Sequence, residues 1–189
     1  MTTTDTTQGL GERDGIRWWP TALGLLIGIG AGLGSNGVDV AWVVAISAFV
    51  YVGAAATGSG MSAWWWFLGS MPLITLGQIF DAPAVLTWAV VVIAALVAVW
   101  GIARGHRSNP GGLSLQSLAM VAFGAMSLLA FVVDTTAGGL LVAAGLVGHA
   151  AWDLYHHRKN RVVVRSYAEA CIVLDVALAV MIVVAVLSS

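Results

Sequence analysis

The stretch GLVGHAAWDLYHHRKNRVVVRSYAEACIVLD, residues 145–175, runs from apolar sequence into a tight basic cluster and back into apolar sequence. Arg158, Lys159, Arg161 and Arg165 hold the middle in water, and the flanking apolar runs, 138–157 and 166–187, are each about long enough to cross a bilayer as a helix. A short polar loop between two such runs predicts an antiparallel helical hairpin. The same pattern extends outward. Five more apolar stretches precede the hairpin, at 18–34, 38–57, 62–80, 84–103 and 114–133. Composition agrees: 59% of the 189 residues are hydrophobic and only 9% charged, against about 45–50% apolar in soluble domains. The expected fold is all-α, a polytopic membrane protein of seven transmembrane helices forming one domain over residues 18–189.

The charges test the number seven independently. With seven spans every Lys and Arg falls on one side: Arg13 and Arg17 before the first, Arg104 and Arg107 after the fourth, and the basic cluster after the sixth. The positive-inside rule makes that side cytoplasmic, with the N-terminus in and the C-terminus out. Asp39, Asp81 and Asp134 occupy the three opposite connections without a basic neighbour. Removing one internal span would scatter the basic residues over both faces. Trp18, Trp19, Trp64, Trp65, Trp66, Trp100 and Trp152 lie near inner ends and Trp42 and Trp88 near outer ends, as aromatic anchors at the headgroup level do. Residues 1–17 read as a disordered cytoplasmic tail; their acidic residues and the missing small-residue cleavage site argue against a signal peptide. Gly105, Asn109, Pro110, Gly111 and Gly112 mark the turn after the fourth span.

Several functions are disfavoured. A net charge of −1 gives no reason to expect nucleic acid as a partner. The glycines of GLLIGIGAGLG do not complete a dinucleotide fingerprint and have no strand before them, so no nucleotide is expected; Gly24, Gly28 and Gly32 recur every four residues and predict a close helix–helix contact. No lysine lies inside a span, which removes a retinal Schiff base. Lone Cys171 excludes an intrachain disulfide. Pro72 is expected to kink the third span, and Gln78 to reach a neighbouring helix.

The polar residues inside the hairpin carry the functional signal. His149, Asp153 and His156 are spaced i, i+4, i+7, within about 60° of arc on one helix face. Tyr167, Cys171 and Asp175 form a matching face on the next helix. With the loop as a mirror, His156 falls level with Tyr167, Asp153 with Ala170 and Cys171, and His149 with Leu174 and Asp175. Glu169 points about 120° away from Asp175. Ionisable groups in apolar spans are costly and tend to mark function. Two imidazoles and two carboxylates would satisfy a divalent transition metal, zinc or iron, making His149, Asp153, His156 and Asp175 candidate ligands. Such a centre permits hydrolysis of a lipid-like ester, amide or phosphate at the cytoplasmic membrane face, with Glu169 or His157 as candidate catalytic acid or base. Two alternatives stay open: proton or ion translocation along the His/Asp ladder, and a structural or partner-binding membrane protein without catalysis, in which His149 pairs with Asp175 and His156 with Tyr167.

The pattern H-x2-W-D-x2-H-H, followed after a basic loop by an aromatic and then C-x3-D, resembles a family of small bacterial integral-membrane proteins classed as a domain of unknown function. The match rests on His149, Trp152, Asp153, His156, His157, Tyr167, Cys171 and Asp175, about the last quarter of the chain, with an echo in VYVGAAATG of the second span. The resemblance implies a multi-pass protein of the bacterial cytoplasmic (inner) membrane whose partner is the lipid bilayer. The family lends no activity. The chain departs from membrane desaturases, which carry several histidine boxes, and from the seven-span ceramidase and progestin-receptor relatives, which carry a second histidine pair.

Overall fold

The computed structural model describes residues 18–106 and 112–188. The N-terminal tail, Arg13, Arg17, Arg107 and the tip of the loop after the fourth apolar stretch lie outside the described residues. The described residues are all-helical, without a strand: α1 (Trp18–Gly32), α2 (Trp42–Thr57), α3 (Ser62–Ile79), α4 (Pro83–Ala103), α5 (Leu113–Leu129), α6 (Thr135–Lys159) and α7 (Arg165–Ser188), with a 3-10 turn, Val38–Val40, leading into α2. Each apolar stretch of the sequence forms one helix. Four segments are long and apolar enough to cross a membrane: Val38–Thr57, Pro83–Ala103, Thr135–Lys159 and Arg165–Ser188. Helices α1 and α5 are shorter, and Pro72 sits inside α3.

Helix α2 is the axis of the bundle. Every residue from Val43 to Ala56 is buried, whichever side of the helix it occupies. A helix apolar on all faces is stable only when surrounded, and α3, α4, α5 and α6 pack around it. The outer helices turn large apolar side chains outward instead, among them Leu26, Leu96, Val121, Val147 and Val180. That distribution suits a bundle whose solvent is hydrocarbon.

Close packing against α7 places α1. A Cβ at Gly28 would stand 2.6 Å from the carbonyl oxygen of Leu174, so the two backbones approach as only glycine allows. Thr21 Oγ1 donates to Glu169 Oε1 at 2.6 Å and ties the same pair of helices together.

The described charged residues of the connections fall at the two ends of the bundle. At one end Trp19 stacks on Trp64 at 5.4 Å, His106 Nδ1 meets the carbonyl of Ala56, and Val164 N donates to Gly60 O at 3.2 Å. Arg104, Arg158, Lys159, Arg161 and Arg165 all belong to this end, and Asp39, Asp81 and Asp134 fall in the connections at the other. The turn between α6 and α7 is tightly wound. Asn160 ends α6 in the left-handed region, and Val162, also left-handed at φ 68°, sits beneath a bond from Val163 N to Arg161 O of 2.8 Å. A β-branched residue is strained there. Val163 is buried beneath it, so the hairpin is anchored to the turn between α2 and α3.

Candidate metal centre

Three side chains of the hairpin converge. His149 Nδ1 lies 2.9 Å from Asp175 Oδ2 on α7 and 3.1 Å from Asp153 Oδ2 one turn along α6. All three residues have 0% of their surface exposed. One potential ligand atom from each lies within 4.8 Å of the others, so the group could hold a metal ion. An imidazole Nδ1 carries at most one hydrogen and can give it to one oxygen at a time. The hydrogen bond goes to Asp175, which leaves Asp153 Oδ2, Asp175 Oδ1 and His149 Nε2 buried without a hydrogen-bond partner. Buried polar atoms are nearly always paired. A cation among the two carboxylates and the imidazole would give these free atoms partners.

Helix α2 contributes to the same centre. Tyr51 Oη donates to Asp153 Oδ1 at 2.5 Å, and its ring packs edge-on against His149 and His156. The ring of Phe123 of α5 lies 5.2 Å from that of His149, so α5 also borders the centre.

His156 belongs to a second network, about 10 Å along α6 from His149. Its Nδ1 lies 2.9 Å from the carbonyl oxygen of Trp152, an acceptor, so that nitrogen must be the donor. Its Nε2 then holds a lone pair, which accepts from Gln116 Nε2 at 3.2 Å, while Gln116 Oε1 accepts from Trp152 Nε1 at 3.2 Å. Every polar atom of this trio is satisfied by a neutral imidazole in one tautomer. His156 is not in the group that could hold a metal, because α5 supplies Gln116 at its level and both ring nitrogens are engaged.

The remaining sequence candidates sit elsewhere. Glu169 faces α1, where it accepts from Thr21, as its position 120° from Asp175 implied. His157 is half-buried in the last, basic turn of α6. The level pairing of His149 with Asp175 appears as drawn from the sequence. Tyr167, expected opposite His156, instead packs its ring against Trp64 at 5.3 Å and Phe67 at 6.2 Å. Cys171 is buried one turn before Asp175 and lies outside the triad. Tyr51 and Gln116 are the residues that sequence reasoning missed as members of the site. Tyr51 is the one tyrosine of α2 and Gln116 the one amide side chain of α5, and only its position in the apolar run could have flagged either.

Comparisons with protein-family models, curated proteins and solved structures yield no match.

Proposed function

We propose that this chain is a seven-span protein of the bacterial cytoplasmic membrane, with its N-terminus inside, and that it holds one divalent transition metal, zinc or iron, at His149, Asp153 and Asp175. The observation that carries the proposal is the convergence of one imidazole and two carboxylates from two helices, wholly enclosed, with an oxygen of each carboxylate unpaired. Enclosing two carboxylates around one imidazole nitrogen is costly unless a cation joins them. A set of one histidine and two carboxylates also leaves coordination positions open. Membrane topology is supported by the grouping of the described basic residues at one end of the bundle. Membership of the small bacterial membrane-protein family is part of the same proposal and rests on its eight signature residues.

The reaction class we attach to the centre is hydrolysis of a lipid-like ester, amide or phosphate, for which a bound metal supplies a Lewis acid. Glu169 has no part in this version, because it is held by α1. The structural alternative draws on the His149–Asp175 bond of 2.9 Å, and metal binding separates the two. Purified protein titrated with zinc against a competing chelator is expected to take up one equivalent, and His149→Ala to lose that uptake while keeping its helical content. Wild-type protein that binds no zinc or iron would leave the triad as a hydrogen-bonded clasp.

A further inference from the structure

Tyr51 reaches the triad from α2, outside the hairpin that supplies all three candidate ligands. Its hydroxyl has one hydrogen, and Asp153 Oδ1, 2.5 Å away, receives it. Both residues are essentially inaccessible to solvent, Tyr51 at 1% and Asp153 at 0%. The two oxygens of Asp153 are thereby made unequal: Oδ1 is committed to α2, and Oδ2, without a hydrogen bond, faces His149 Nδ1 at 3.1 Å. A carboxylate free to turn can offer a metal both oxygens. One that accepts a short bond from a buried phenol is held in a single orientation, and the oxygen that takes the bond is the weaker donor to a metal.

We propose that Tyr51 is a positioning residue that restricts Asp153 to one-oxygen coordination through Oδ2, and so keeps a coordination position open for water or substrate. The proposal rests on the metal centre described above and goes beyond it by assigning the denticity of one ligand to a residue on another helix. Removing the hydroxyl leaves Oδ1 buried and unpaired, and the carboxylate then turns to give both oxygens to the metal. Tyr51→Phe is a mild change for the fold, because the ring keeps its edge-on contacts with His149 and His156.

Infrared difference spectra of zinc-loaded minus zinc-free protein test this, since the gap between the antisymmetric and symmetric carboxylate stretches is wide for one-oxygen and narrow for two-oxygen coordination. Wild type is expected to show a wide-gap pair from Asp153, which Tyr51→Phe converts to a narrow-gap pair beside an unchanged Asp175 signal, while still binding one equivalent of zinc. An unchanged spectrum in Tyr51→Phe overturns the role of Tyr51 and leaves the metal centre standing. Wild-type protein that takes up no zinc overturns both. Should Tyr51→Phe fail to fold, the wild-type spectrum decides alone: absence of any wide-gap pair overturns the proposal.

Discussion

Asp153→Asn separates a metal ligand from a structural hydrogen bond, because it changes charge and one donor without changing size. In the native site Oδ1 accepts from Tyr51 at 2.5 Å and Oδ2 lies 3.1 Å from His149 Nδ1. The asparagine oxygen can keep the Tyr51 bond, now as a neutral acceptor, and charge-assisted bonds exceed neutral ones by about 1 kcal/mol. The new amide group meets an imidazole nitrogen whose hydrogen already goes to Asp175. Against these losses stands the removal of one of two neighbouring buried carboxylates, which relieves their repulsion. The net cost to the fold is about 1–2 kcal/mol, the scale of an interhelical hydrogen bond in a bilayer. Metal affinity has a different scale. Altering a group that merely orients a ligand costs about 10–100-fold, so deleting one of three ligands should cost at least about 100-fold, or about 2.7 kcal/mol. Thermal unfolding in detergent and a zinc competition titration on the same preparation read the two quantities separately. A variant that unfolds close to wild type and binds zinc within about tenfold of it would refute the assignment of Asp153 as a ligand.

The remaining predictions concern packing and topology. Gly28→Ala places a methyl group 2.6 Å from a backbone oxygen of α7, where neither side can yield by rotating a side chain, and should cost about 1–3 kcal/mol in thermal unfolding. Gly30→Ala, two residues away with nothing within 4 Å of the added carbon, should be neutral or stabilising by up to about 1 kcal/mol; equal losses in both variants would contradict the packing of α1 on α7. In intact cells, cysteines introduced at Asp81 or Asp134 should react with an impermeant thiol reagent and one at Ser108 should not; the reverse pattern would invert the orientation.

The helices were legible because hydrophobic length is a local property: each apolar run of the sequence became one helix, and the basic residues foretold which described connections share an end. The register of the hairpin was legible for a similar reason. A short loop fixes two antiparallel helices against each other, which put His149 beside Asp175 and turned Glu169 toward a different neighbour, found to be α1. Spacing on α6 alone was less informative about His156. The i+7 interval keeps a residue on the same face but moves it about 10 Å along the axis, where a different helix supplies the partner. Which helix that is depends on the packing of the whole bundle, and α5 brings Gln116. Tyr51 was hidden by the same limit, since a single tyrosine in an apolar run has no periodicity and its meaning comes from α2 being the buried axis.

X-ray absorption at the metal edge of zinc-loaded wild-type protein tests the central claim most directly, because it counts the ligands by type. The structure predicts one imidazole and otherwise oxygen ligands, at about 2.0–2.1 Å, with no sulfur. Two imidazoles would bring His156 into the centre against its bonds to Gln116 and Trp152, a sulfur would bring in Cys171, and a shell without imidazole would place the metal away from His149; any of the three would contradict the account.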